Sequence, residues 1–533
     1  MTNLRQYFST RKTAQNTPLL GKDQTANSAG GFVWTLDKWG QLDRFLILGS
    51  EGGTYYIQPQ KLTVDNAAKV IDCIAEDGVR VVDRVVEIST AGRAPKNDPA
   101  LFVLAMVAGL GNEVSRRAAL DALPKIARIG THLFHFLEFV EGFRGWGRGL
   151  RRGVANWYTN MPAERLAYQA VKYQQRDGWS HRDALRLAHP KAPSKEHAAL
   201  FAWITHGMET PDVDAPDSKA MQTIWAFEQA KQAASVGEIQ LLIEEYGLPW
   251  EAIPAEWHGT AEIWRVLLPT MPIGALLRNL GRLTANGVLA PMGAEVALVV
   301  DILTNQALLS KARIHPIAVL SALITYQNGR GLRGKLTWVP VQQIVDALDG
   351  AFYQTFAAVQ PTGKRHLLAL DVSGSMGVGY VANTIGLSPR IASAAMSLLT
   401  AVTESQVTTV GFSHELIPLN ISPRQRLNDV VKAISGIPFG ATDCAQPMLW
   451  AMKHNIQTDA FIVYTDNETW YGDIHPAQAI QAYRDKMGIN AKLIVVGMVA
   501  NRYSIADPED AGMLDVVGFD TAVPQLMSEF ISG

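Results

Sequence analysis

Apolar side chains recur at spacings of three and four along most of the chain up to residue 356. The pattern is plain in DNAAKVIDCIAE, PALFVLAMVAGL, RAALDALPKIARI and MGAEVALVVDILTN. Such spacing puts the apolar groups on one helix face and predicts amphipathic helices. Short Gly, Pro and Asn breaks separate these stretches from about Lys61 to Phe356. A run of helices with no strand pattern predicts a bundle or a solenoid of paired helices. Near Pro361 the pattern changes. KRHLLALDVS, VTTVGFS, DAFIVYTD and AKLIVVGMVAN are short β-branched runs, and helical stretches such as RIASAAMSLLTAV and CAQPMLWAMKH lie between them. Strands alternating with helices predict a parallel sheet covered on both faces, a doubly wound α/β domain. Residues 1–30, rich in Thr, Asn, Gln and Ser, predict an extended polar arm with no regular element of its own, free to dock elsewhere on the protein. The division expected is therefore 1–30, 31–360 and 361–533.

A chain of 533 residues exceeds what one core usually supports, so about two to four units are expected. With 47% hydrophobic and 18% charged residues it is a folded, water-soluble protein by composition. Only Cys73 and Cys444 are present. Two distant cysteines exclude a disulfide framework, and both are expected as buried thiols in a reducing compartment. The first residues lack the apolar core of a signal peptide, and no apolar run approaches the roughly 18 residues needed to span a bilayer. The expectation is a cytoplasmic protein with no membrane partner.

The net charge of -2 hides a strong internal asymmetry. From Arg116 to Lys191 there are 14 Lys and Arg against 6 Asp and Glu. From Ala192 to Trp264 the balance reverses, 3 against 12, and from Arg265 to Lys335 it is 8 against 2. The first basic zone interleaves arginines with aromatic and histidine side chains: RIGTHLFHF, FRGWGRGLRRGVANWY and KYQQRDGWSHRDALRLAHPK. Cationic groups neutralise phosphates and rings stack on bases, so this composition points to RNA. On helical periodicity Lys172 and Arg176 are four apart and share one face, and His189, beyond the next helix, is close enough in a helix pair to join them. Arg144, Arg148, Arg151 and Arg152 sit among glycines, as phosphate contacts or as a solvated loop. Trp157 and Tyr158 read as core. His132 and His135 read equally as core histidines or as contacts.

A second constellation lies in the α/β region. One strand runs into Asp371, Ser373 and Ser375 of DVSGSM; GATD supplies Thr442; and FIVYTD ends in Asp466. Ligand sites of open α/β sheets lie at the carboxyl ends of strands. Five hard oxygen groups with little charge suit Mg²⁺ or Mn²⁺, leaving a coordination position for an outside group. A turn whose Asp and Ser merely cap a helix would account for DVSGSM, but not for Thr442 and Asp466 as well. Asp443 is expected as a cap and Glu468 as a surface charge. A phosphoryl-accepting Asp371 would call for a second Asp two residues on, where Ser373 stands.

Taken together, RIGTHLF, KYQQRDGWSHRDALRLAH, MPIGALLRNLGRLTANGVL, KARIHPIAVLSALITYQNGRGLRGKLTW, DVSGSM and GATDCAQPMLWA resemble the Ro 60 kDa autoantigen family, including its bacterial members, over nearly the whole chain. That family joins a TROVE module to a von Willebrand factor A domain. The resemblance implies a ring of HEAT-like helical repeats, and it implies that the five oxygen residues are a metal-ion-dependent adhesion site. It further implies Y RNA bound on the outside of the ring at Lys172, Arg176 and His189, with single-stranded ends of misfolded RNAs entering the central hole. Arg128, His132 and Arg278 are the candidates for the inner surface, and Arg148 and Arg151 for further RNA contacts. Exoribonuclease partners such as polynucleotide phosphorylase, and a role in RNA quality control, are implied in the same way. The expected protein is a non-catalytic monomer that binds RNA. The alternative is a protein adaptor acting through the adhesion site without RNA. A nuclease would need clustered carboxylates for two metals or a His pair, and the sequence offers neither.

Overall fold

The computed structural model describes residues 12–49, 59–208, 215–331, 335–356, 359–381, 386–437, 440–520 and 522–532, with only the backbone of 59–64. The polar segment 1–11 lies outside the described residues. Helices fill the chain from Lys38–Leu48 to Gln342–Gln354. They form for the reasons the spacing predicts. In Arg148–Thr159 the residues Leu150, Gly153, Val154, Trp157 and Tyr158 are buried at intervals of one, three and four, while Arg148, Arg151 and Arg152 face solvent. Asp98–Leu110 instead buries nine of its thirteen residues, as a helix with neighbours on several sides must. Ser180 and Asp183 form a capping box that starts His181–Ala188. His189 ends that helix with φ 48°, in the left-handed region.

Successive helices pack on one another, and the array closes on itself. Arg313 Nη1 donates to Thr90 O (3.3 Å) and His315 Nε2 to Arg93 O (3.3 Å), joining helices more than 220 residues apart. Inside the helical region, where no strand is expected, a hairpin pairs β3 (Gln175–Arg176) with β4 (Trp179–Ser180). Its turn is Asp177-Gly178, both with positive φ, the conformation that two-residue hairpins favour.

The C-terminal part is a six-stranded sheet. Its strands are β5 (Arg365–Asp371), β6 (Gln406–Phe412), β7 (Leu416–Leu419), β8 (Ala460–Thr465), β9 (Lys492–Gly497) and β11 (Met513–Val517), in the order β11-β9-β8-β5-β6-β7. All pairs are parallel except β6–β7, where the short edge strand returns antiparallel. Because side chains alternate along a strand, the sheet feeds two cores. Leu368, Leu370, Ile462, Tyr464, Ile494 and Val496 join the core shared with the helical region. Leu367, Ala369, Phe461, Val463, Leu493 and Val495 pack on the other face with Met448, Ile480 and Tyr483.

The helical character begins earlier than Lys61, at Lys38, because Lys38–Leu48 buries Leu42, Phe45, Leu46 and Leu48 against the next helices. The polar stretch before it is not without elements where it is described. β1 (Gln24–Ala26) pairs with β2 (Phe32–Thr35), which pairs with β10 (Tyr503–Ser504), all antiparallel. Polar composition concealed this because the strand's partners come from the far end of the chain. Among the described residues no helix is long and apolar enough to cross a membrane. Cys73 and Cys444 are buried free thiols.

Candidate metal centre and nucleic-acid interface

β5 and β8 lie side by side in parallel, so the residues ending them meet at the carboxyl edge of the sheet. Asp371 ends β5 and Asp466 follows β8. Thr465 Oγ1 donates to Asp371 Oδ2 at 2.7 Å, and Ser373 N donates to Asp371 Oδ1 at 2.9 Å. The hydroxyls of Ser373 and Ser375 are 2.9 Å apart. Thr442 comes from the loop before Gln446–Lys453; its carbonyl accepts from Trp470 N and Tyr471 N, both at 3.1 Å. The structure therefore gathers the strand ends and loops that carry all five expected residues, and each is at most 4% exposed.

The electrostatics are those of a site short of positive charge. Burial pushes the Asp466 carboxyl far above its ordinary range, and Asp371 and Glu468 push it further. Burial likewise raises Asp371, against hydrogen bonds from Ser373 and Thr465 and the Arg390 guanidinium. Arg390 Nη2 donates to the carbonyls of Val372 (3.1 Å) and Ser373 (3.0 Å). Among the described residues the buried Thr442 hydroxyl has no hydrogen-bond partner. Buried polar groups are rarely left unpaired. Two repelling carboxylates, two serine hydroxyls and one orphaned threonine hydroxyl are a donor set that a hard divalent cation would satisfy. Among the described residues no three His, Cys, Asp or Glu side chains are placed to share a metal, so the hydroxyls are essential to any such site.

Asp443 is buried and accepts from Ala445 N (3.0 Å) and Gln446 Nε2 (2.8 Å), but the helix Gln446–Lys453 is flanked by Ala445 and has no side-chain cap, so the expected cap is not formed by Asp443. Glu468 does not behave as a surface charge. It is fully buried, it accepts from Tyr503 OH and Ala29 N, and burial raises its carboxyl to about 7. The partners that draw it inside lie far away in sequence, at residues 29 and 503.

The basic candidates separate by environment. Lys172 is buried between the rings of Tyr168 and Tyr173; its Nζ is 3.2 Å from Tyr168 OH and 3.6 Å from Glu251. Arg176 is exposed on β3, not on the helix that carries Lys172, and lies 3.7 Å from Asp177. His189 is exposed at its helix end. These three lie in one continuous stretch, but no hydrogen bond or ion pair joins them among the described residues. Arg128 is half-buried and donates to Ser89 O (3.2 Å) and Ser89 Oγ (2.9 Å). Beside it burial, then the Arg128 charge, pushes His132 down to about 3, and Asn97 Nδ2 lies 3.3 Å from its Nδ1. His132 is thus a half-buried ring held neutral, with Nδ1 beside Asn97. Arg278, Arg148, Arg151 and Arg152 are exposed, with no carboxylate within ion-pair distance among the described residues. Arg144 is drawn inward to cap Asp98–Leu110 through Ala108 O (3.1 Å). Trp157 and Tyr158 are core, 2% and 0% exposed.

Family models match most of the chain: the TROVE domain over residues 25–325 and the Ro60 vWA domain over residues 365–531. The chain is 46% identical over 519 residues to the RNA-binding protein RO60 of Deinococcus radiodurans, covering 97% of each chain. It is 37% identical over 584 residues to the RNA-binding protein RO60 of Caenorhabditis elegans, covering 96% of this chain and 90% of that one. The crystal structure of the Deinococcus radiodurans RO (RSR) protein matches with a TM-score of 0.72 at 46% identity, over 93% of this chain and all of the other.

Proposed function

The chain belongs to the Ro60 family of TROVE and vWA domain proteins, and on that premise we propose that it holds RNA on its helical region without cutting it, as a scaffold for RNA quality control in the cytoplasm. The observation that carries this reading is the row of exposed arginines on one helix. Arg148, Arg151 and Arg152 leave the face opposite the buried Leu150, Val154 and Trp157 uncompensated by any carboxylate among the described residues. Unpaired cations on a rigid element are phosphate contacts in waiting.

Within this reading Arg176 and His189 touch structured RNA of the Y type directly. Lys172, held by Glu251, shapes the ground beneath them. Arg278 and Arg128 serve single-stranded ends of misfolded RNA, with His132 as a neutral ring beside them. A divalent cation, Mg²⁺ or Mn²⁺, is held by Asp371, Ser373, Ser375, Thr442 and Asp466, and supplies a Lewis-acidic position for a carboxylate of a partner protein. An exoribonuclease such as polynucleotide phosphorylase is the partner class that the RNA role calls for, and the protein works as a monomer. Filter binding of the protein and an Arg148→Gln/Arg151→Gln/Arg152→Gln variant to a stem-loop RNA and to an unstructured oligonucleotide tests the reading. Weakened binding by the variant supports it, and equal binding by both proteins refutes the role of this row.

A further inference from the structure

The stretch before residue 32 spends its polar groups on the loops that carry two of the five oxygen residues. Gln15 is 0% exposed. Its Nε2 donates to Asp443 Oδ1 at 2.5 Å and to Ile474 O at 2.9 Å, and its Oε1 accepts from Thr469 Oγ1. Its backbone N donates to Gly472 O at 3.1 Å. Asp443 is the neighbour of Thr442, and Thr469 follows Asp466 by three residues, so one amide group bridges both loops. Asn27 Nδ2 adds bonds to Asn467 O (3.2 Å) and Thr469 O (2.6 Å), and Ala29 N donates to Glu468 Oε2 (3.1 Å). At Gly31 the approach is so close that a Cβ would lie 1.8 Å from Thr469 O. The same N-terminal segment continues into Lys38–Leu48. There the buried Arg44 donates to Asn501 Oδ1 (2.8 Å), and Asn501 in turn donates to Asp466 O.

We propose that the N-terminal segment is a working part of the metal centre, with Gln15 a positioning residue that fixes the Thr442 loop against the Asp466 loop. The proposal rests on the reading of that centre as a divalent-cation site. Residues 12–31 then belong functionally with the α/β domain at the other end of the chain. The physical reason is preorganisation: a hard cation needs its ligands held at fixed separation, and groups behind the ligands supply that rigidity. Loss of such a second layer typically weakens metal affinity about 10-fold to 100-fold.

The test is Mn²⁺ titration of the full chain by calorimetry, with thermal unfolding in EDTA and in Mn²⁺, for the unaltered protein, Asp371→Ala, Gln15→Leu and Thr469→Val. Gln15→Met, which keeps the length of the side chain but loses the donor to Asp443 without adding charge, stands in should Gln15→Leu fail to fold. The expected result is Mn²⁺ binding by the unaltered protein, none by Asp371→Ala, and affinity about 10-fold or more lower in the Gln15 and Thr469 variants, with a smaller Mn²⁺-induced rise in melting temperature. A Gln15 variant that melts lower in EDTA yet keeps the full Mn²⁺ affinity and the full Mn²⁺-induced rise makes Gln15 merely structural and overturns the proposal. Absence of Mn²⁺ binding by the unaltered protein overturns the metal reading and the proposal with it.

Discussion

Lys172 and Arg176 are four residues apart, yet their surroundings assign them different work, and replacing each by Met should separate the two. Arg176 is exposed, with its side chain 60% accessible and Asp177 3.7 Å away, so on the proposed reading Arg176→Met removes one phosphate contact and a surface ion pair that costs little stability. With one phosphate fewer neutralised, the slope of log affinity against log salt should become shallower by about 0.7–0.9. Between 50 and 200 mM KCl the slope change is worth about threefold in relative affinity. Lys172 has a side chain only 6% exposed and shares its charge with Glu251, itself 20% exposed. Lys172→Met leaves that carboxylate, whose buried Oε2 has no hydrogen-bond partner among the described residues, facing an apolar side chain. Stranding a partly buried charge costs about 1–3 kcal/mol, below the figure for a fully buried pair because Glu251 keeps some water. Filter binding of a stem-loop RNA across a KCl series, together with urea unfolding, reads both effects. The expected outcome is a shallower slope with unchanged stability for Arg176→Met, and a lower urea midpoint with a nearly unchanged slope for Lys172→Met. A slope for Lys172→Met as shallow as that of Arg176→Met, without loss of stability, would refute the assignment of Lys172 to the foundation of the patch.

Acid should destabilise the fold through His181. Its imidazole is 3% exposed, and burial lowers it to about 4 from an ordinary 6.5. The unfolded chain takes up this proton first, so the stabilisation is complete above about pH 6.5 and fades as pH falls towards 4, by about 2 kcal/mol at pH 5. His181→Gln should flatten the fall in urea midpoint between pH 7 and 5; an unchanged fall would show that other groups dominate. Asp371→Ala should abolish Mn²⁺ binding while leaving RNA affinity within about twofold, and parallel loss of both in binding assays would contradict the separation of the two regions. Gly31→Ala should lower the melting temperature, since the new Cβ would meet Thr469 O at 1.8 Å; an unchanged melting curve would mean that the two segments do not approach as described.

The sequence displays what is local. Apolar spacing marks the helices and strands because each element buries one face, and Asp371, Ser373, Ser375, Thr442 and Asp466 stand out because three of them share a turn and the others end a strand or sit in a glycine loop. What it conceals depends on distant partners. Glu468 looks like a surface charge until Tyr503 and Ala29 are seen to claim it. Lys172 and Arg176 look like one helical face, but the helix ends at Lys172 and the hairpin turns Arg176 away. Gln15 carries no signal at all in a polar stretch, because its partners Asp443 and Thr469 lie more than 400 residues on. The Asp177-Gly178 pair, both with positive φ, is a local signal for the hairpin turn.

On the proposed function, the helical region holds RNA through exposed arginines that no carboxylate pairs among the described residues. The most direct measurement is quantification and sequencing of the RNA that copurifies with the full-length protein, beside the Arg148→Gln/Arg151→Gln/Arg152→Gln variant at equal salt. Small structured RNA is expected in near-stoichiometric amount with the unaltered protein, with a marked loss in the variant. A protein that purifies free of RNA and binds neither stem-loop nor single-stranded RNA at 50 mM salt would contradict the proposed function.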